Sequence, residues 1–120
     1  MTVVNLINVA TITPVVNAGA VTTSRASIID VAADKVAKVN SLIIANVDGT
    51  NAADITVEVS IDNGSSYVAI AKTISVPADA SLIVVGKDNG FYLDETDLLA
   101  VTASAASDLT YLVSYELMTD

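Results

Sequence analysis

The segment from Asp54 to Ile61, Asp-Ile-Thr-Val-Glu-Val-Ser-Ile, alternates polar and apolar residues at every step and then meets Asp62-Asn63-Gly64. A period of two puts Ile55, Val57, Val59 and Ile61 on one face and Thr56, Glu58 and Ser60 on the other, the pattern of a strand with one face on a core. Asn-Gly supplies the positive φ that a tight hairpin demands, so the partner strand is expected over residues 67–74, across Asn63-Gly64-Ser65-Ser66. An antiparallel pair of this kind cannot stand alone and needs a larger sheet to hold it.

The rest of the chain repeats the same grammar of short Val/Ile-rich runs cut by Gly, Asn, Asp and Pro. Strands are expected over residues 21–30, with Ile28-Ile29 at the apolar end, and over 39–47. There Leu42-Ile43-Ile44-Ala45 reads as a central strand covered on both faces. Residues 31–37 suit a turn or a single helical turn, being too few for a helix of their own. Asp48-Gly49-Thr50-Asn51 and Lys87-Asp88-Asn89-Gly90 read as tight turns whose Gly and Asn tolerate positive φ. Pro77 breaks the link into a strand over 81–85, and Phe91-Tyr92-Leu93 is a short strand or ledge. Asp94-Glu95-Thr96-Asp97 reads as a solvated acidic loop. Strands over 98–103 and 109–117 complete the set, the last with Leu109, Tyr111, Val113, Tyr115 and Leu117 on one face. The expected fold is all-β, an antiparallel sandwich or jelly roll of about eight strands over residues 21–120. Residues 1–20 are expected to form an extended N-terminal arm or first strand, because Pro14 and Asn17-Ala18-Gly19-Ala20 interrupt a long regular element.

Composition narrows the function classes. The 120 residues suffice for one core and not two. Hydrophobic residues are 52% against 16% charged, which points to apolar surface covered by other subunits. Fourteen acidic residues against five basic ones give a formal charge of −9, and Arg25, Lys35, Lys38, Lys72 and Lys87 are scattered singly. Such a chain repels phosphate backbones, so no direct nucleic-acid partner is expected. No apolar run approaches the roughly 20 residues that span a bilayer. Met1-Thr2-Val3-Val4-Asn5 lacks the basic start of a secretory signal. The expectation is a soluble chain made in the cytoplasm, without a membrane partner.

The absence of His and Cys excludes imidazole-based nucleophile systems, imidazole and thiolate metal sites, and disulfides. No phosphate-cradling Gly-rich loop is present, and no cofactor is expected. Two carboxylates can by themselves run glycoside hydrolysis, and Asp94, Glu95 and Asp97 are the candidates. A chain with no Trp and four Tyr lacks the aromatic platforms of a sugar cleft, so no enzyme is expected. Carboxylates at 94–97, or Asp48 with Asp54, offer Ca²⁺ ligand types without the spacing of a known loop, and no metal site is assigned. The residues singled out are therefore interface candidates. Val3, Val4, Leu6 and Ile7 make an apolar arm that either closes the domain's own sheet or adds to a neighbour's. Tyr111 and Tyr115 form either an interface anchor or a core ledge. Arg25, the lone arginine, makes either a bidentate contact to a carboxylate across an interface or a surface ion pair.

Three segments carry a resemblance. They are Ser41-Leu-Ile-Ile-Ala-Asn-Val-Asp-Gly-Thr-Asn-Ala-Ala-Asp-Ile-Thr-Val-Glu-Val, Ile74-Ser-Val-Pro-Ala-Asp-Ala-Ser-Leu and Leu99-Ala-Val-Thr-Ala-Ser-Ala-Ala-Ser-Asp-Leu-Thr-Tyr-Leu-Val-Ser-Tyr-Glu. Over residues 41–117 the chain resembles small β-sandwich virion proteins of tailed bacteriophages, marine and cyanobacterial ones especially. The resemblance implies a capsid decoration or cement protein that binds the assembled head and braces the major capsid protein. It also implies a homo-oligomer, most simply a trimer, located on the virion surface after assembly in the host cytoplasm. The alternatives are a neck, tail or baseplate component, and a carbohydrate or host-surface binding module presenting Tyr67, Phe91 or Tyr92.

Overall fold

The computed structural model describes residues 5–119. Nine strands follow a short 3-10 turn at Leu6–Asn8: β1 (Thr11–Ala20), β2 (Ala26–Asp30), β3 (Lys35–Asn46), β4 (Ala53–Ser60), β5 (Val68–Val76), β6 (Ser81–Val85), β7 (Phe91–Leu93), β8 (Leu98–Ala103) and β9 (Leu109–Thr119). They form two antiparallel sheets, one in the order β1-β9-β3-β6 with β7 also paired to β3, the other in the order β2-β8-β4-β5. The chain crosses between sheets at most connections, so sequence neighbours seldom pair. The fold is thus an all-β sandwich, with nine strands where about eight were expected.

The core lies between the sheets and is built from Leu, Ile and Val of alternate positions. Leu42 and Ile44 of β3, Ile55 and Val57 of β4, Leu99 and Val101 of β8, and Leu109 and Val113 of β9 are all buried. Each strand supplies every second residue because successive side chains point to opposite faces. The predicted β4–β5 hairpin forms, with Ile55 opposite Ile74 and Val59 opposite Val68. Its turn has Asn63 and Gly64 at φ 59° and 90°, closed by a bond from the Ser65 N–H to the Asp62 carbonyl.

Several expectations need correction. Residues 11–20 take the first-strand alternative, but Pro14 and Asn17-Ala18-Gly19-Ala20 do not interrupt it: β1 pairs with β9 over its whole length, from Thr11 opposite Thr119 to Ala20 opposite Thr110. Pro14 is accommodated because β1 is an edge strand. Val21 donates its N–H to the Leu109 carbonyl, which sets the odd residues of β1 bonding to β9 and turns the even ones, Pro14 included, to the free edge. The strand expected over 21–30 begins only at Ala26. β3 is central in its sheet, but over 42–45 only its inner face is covered, and Ile43 and Ala45 are half-buried on the other. Ile61 is 73% exposed, not inward, because β4 ends at Ser60 opposite Leu98, where the neighbouring strand β8 begins.

Two turns also differ in mechanism. At 48–51 no positive φ is used, and the Asp48 carboxylate instead accepts the N–H groups of Thr50 (2.8 Å) and Asn51 (3.2 Å). Near Asn89 the turn bond runs from the Asn89 N–H to the Gly86 carbonyl. Gly90 serves close approach, since a Cβ there would lie 2.8 Å from the Val39 carbonyl oxygen.

Candidate functional site

Register across the β1-β9-β3-β6 sheet decides what its outer face presents. Ala18 pairs with Leu112, Leu112 with Ile43, and Ile43 with Ile83, making one apolar row across four strands. The next row is Ala20, Thr110, Ala45 and Ser81, and on the other side Val16 lies opposite Ser114. Val16 and Ile83 are 63% and 66% exposed. Because Ala18 and Ala45 are small, the face dips into a shallow concavity of about 470 Å³ lined also by Gly19, Ile43, Thr110, Tyr111 and Leu112. No Asp, Glu, Lys or Arg lines it. At the far end of this face Met118 and Val36 are buried together under Val9, so the chain just before β1 folds over the sheet there.

Charge on this face is confined to one row towards its far end, where Glu116 of β9 lies between Pro14 and Lys38; most other carboxylates lie off the sheet. Asp34, Asp48, Asp62, Asp79, Asp88, Asp94, Glu95, Asp97 and Asp108 all sit in connections between strands. At one end of the sandwich, hydrogen bonds hold the Asp48 carboxyl below its ordinary range, while burial first and the Asp48 charge second push Asp108 up. At the other end, the expected solvated loop 94–97 is in fact packed in. Glu95 is 2% exposed and accepts the Asp34 N–H at 2.7 Å, and Asp97 is buried and accepts the Asp94 N–H at 2.8 Å. Two further bonds, Thr96 N–H to the Val31 carbonyl and Val31 N–H to the Asp97 carbonyl, lock this loop to the β2–β3 turn. The sequence gives no sign of this, because the neighbouring turn comes from 60 residues away. The three carboxylates thus hold backbone rather than converge on a cavity. Among the described residues no three acidic side chains group so as to hold a metal ion. No helix among them is long and apolar enough to cross a membrane.

The interface candidates are placed as follows. Val3 and Val4 lie outside the described residues. Leu6 and Ile7 occupy the 3-10 turn capped by Asn5, and Ile7 is almost fully exposed. Arg25 spends its guanidinium within the chain: Nε and Nη2 reach the Glu58 carboxylate at 3.0 and 3.1 Å, and the group stacks 3.9 Å from the Tyr67 ring centre. Lys38 lies similarly, 5.9 Å from the ring centre of Tyr92. Tyr111 and Tyr115 are half-buried against the core, with the Tyr111 ring packed on Gly19 of β1. The residues that sequence reasoning missed are those of the outer face, Val16, Ile43, Ile83 and Leu112. The alternation of β9 contained the signal for Leu112, but only the cross-strand register joins the four.

No family model matches the chain, and no curated protein sequence does. Among solved structures it is similar to the protein described in "Bacillus endospore appendages form a novel family of disulfide-linked pili". The TM-score is 0.54 and the identity 17%, over 91% of this chain and 87% of that one. The likeness is one of fold, and with no Cys this chain has no thiol for a disulfide link of that kind. A pentameric capsid protein isolated from metagenomic phage sequences aligns at TM-score 0.40 in each of two structures, with 17% identity. Those alignments cover 96% of this chain and 62% and 67% of the other.

Proposed function

We propose that the chain is a structural subunit of a phage virion, a capsid decoration or cement protein that seats on the assembled head and braces the major capsid protein. The observation that carries this reading is the uncharged patch on the outer face of the β1-β9-β3-β6 sheet, centred on the row Ala18, Leu112, Ile43 and Ile83, on a chain whose formal charge is −9. A face of this kind costs solubility unless a protein surface covers it, while exposed carboxylates in the connections, such as Asp34, Asp62 and Asp88, remain in water. The strand orders β1-β9-β3-β6 and β2-β8-β4-β5 support reading the sandwich as a jelly roll, an architecture of viral capsid domains. The role is non-enzymatic, in keeping with carboxylates engaged by backbone N–H groups. The protein acts as a homo-oligomer, a trimer in the simplest arrangement, on the virion surface.

Co-sedimentation with undecorated phage heads tests the reading. Wild-type protein is expected to pellet with heads and raise their resistance to heat or osmotic shock, and Leu112→Glu is expected to remain in the supernatant while keeping its strand circular dichroism. Wild-type protein indifferent to heads refutes it. A neck, tail or baseplate ring is the second reading, favoured by the two free edges of the same sheet, and it predicts a closed ring of sixfold or higher order.

A further inference from the structure

The edges of the sandwich lie at β1, at β6 with the short β7 beside it on β3, at β2 and at β5, and they are not alike. β5 is blunted by Lys72, by irregular pairing with β4, and by Thr73, a β-branched residue held at φ 47°. β2 is short, irregular against β8 at Ser27/Ile29, and ends on Asp30. β1 and β6, the two edges of the other sheet, carry no charged residue at all. An uncharged edge of ten residues is a template for another strand, and only Pro14 interrupts it.

We infer that copies of this chain associate head to tail, the free edge of β1 in one copy pairing antiparallel with the free edge of β6 in the next. The inference deepens the homo-oligomeric reading above and rests on it for its biological setting. Direction supports it. β1, β9, β3 and β6 alternate along the sheet, so a second copy in the same orientation sets its β1 antiparallel to β6 without a break in the alternation. Hydrogen-bond parity supports it as well. The N–H and C=O of Val16, Ala18 and Ala20 face the edge of β1. The Asn46 N–H bonds to the Ala80 carbonyl, which sets the even residues of β6 bonding to β3 and leaves Ser81 and Ile83 facing the other edge. Residues that exchange backbone bonds in an antiparallel pair point their side chains to one face, and Ala18 and Ile83 both belong to the outer row. The levels match too: Ala18 and Ile83 lie in the same row, as do Ala20 and Ser81, so an unstaggered junction pairs all four. Head-to-tail contact satisfies both edges with one interface, whereas a two-fold β1–β1 contact leaves β6 unpaired. Sheet twist then closes the array into a ring or winds it into a filament.

The chain has no Cys, so introduced cysteines report cleanly. Directly opposed residues of such a pair have Cα atoms about 5.5 Å apart, within disulfide reach. A mixture of Ala18→Cys and Ile83→Cys proteins is expected to give covalent dimers on oxidation or with a short bismaleimide, and the double variant a ladder or closed ring. Neither single variant alone is expected to cross-link. Dimers from Ala18→Cys alone would overturn the head-to-tail arrangement in favour of a two-fold one. So would an uncross-linked mixture, whether native mass shows a monomer or an oligomer. Ala18→Pro, which removes a donor from the free edge only, is expected to lower the native mass to that of a monomer while strand circular dichroism persists. An unchanged oligomer would again refute the inference. Wild-type monomers that still pellet with heads would overturn the edge junction and leave the decoration role standing. Cross-linked oligomers that ignore heads would do the reverse.

Discussion

Two glycines in turns of the same chain should respond in opposite ways to one methyl group. At Gly90 an added Cβ would sit 2.8 Å from the Val39 carbonyl oxygen, at least 0.6 Å (3.4 − 2.8) inside ordinary contact distances of 3.4–4 Å. The obstacle is backbone in the middle of β3, which is held on its other side by β9, so it is β7 that must give. Its pairings Ala37–Leu93, Lys38–Tyr92 and Val39–Phe91 then weaken together. Overpacking of this kind costs about 1–3 kcal/mol. With an unfolding entropy of roughly 2.1 cal/mol/K per residue, a domain of this length loses about 4 °C of Tm per kcal/mol, so Gly90→Ala is expected to lower Tm by about 4–12 °C. At Gly49 the added methyl meets only the Asp79 carboxylate, at 3.7 and 3.9 Å, and φ is not in the left-handed region. Gly49→Ala is therefore expected to leave stability within about 0.5 kcal/mol of wild type, or to raise it slightly by restricting the unfolded chain. Urea and thermal unfolding at one fixed protein concentration measure both, the fixed concentration removing any contribution from self-association. A Gly90→Ala protein as stable as Gly49→Ala would show that β7 does not press on β3 as the structure has it.

Asp97 gives a pH test. Burial, then the nearby Asp94 charge, raises its carboxyl above the ordinary 3.8, against the lowering effect of the Asp94 N–H bond. Its favourable contribution is therefore fully present below the unfolded value and lost as pH rises through the folded one. Asp97→Asn keeps an acceptor for that N–H without the charge, so it is expected to be more stable than wild type at pH 7, with the advantage fading as pH falls towards 3.8. An advantage that grows in acid would contradict this account. Asn46 is buried, donates to the Asn51 and Val76 carbonyls at 2.9 Å each, and accepts the Asp48 N–H at 2.8 Å. Asn46→Ala strands these groups and is expected to cost about 2–3 kcal/mol by urea unfolding; a loss below half a kcal/mol would mean that water replaces the amide without penalty.

Much of the local structure was legible because its causes are local. The period of two over residues 54–60 and the positive φ required at Asn63-Gly64 are properties of adjacent residues, and β4, its turn and β5 lie where they predict. The same holds for the strands expected over 81–85, 91–93, 98–103 and 109–117, the last of which runs on to Thr119, and for the all-β class. What lay beyond the sequence depended on partners distant in the chain. Pro14 reads as a breaker until β9, a hundred residues on, makes β1 an edge strand whose outward nitrogen needs no hydrogen. Glu95 and Asp97 read as solvated until the β2–β3 turn closes over them. Arg25 reads equally as an interface contact or a surface ion pair until β4 brings Glu58 against it within the chain. Ile61 continues a perfect alternation, yet nothing faces it. The candidate assembly surface is the extreme case: Ala18, Ile43, Ile83 and Leu112 are ordinary residues on four strands, joined only by antiparallel register. Alternation along one strand determines which residues share a face. Which faces become continuous, and which edges stay open, is decided by pairing between strands, whose free energy depends on contacts that no single segment contains.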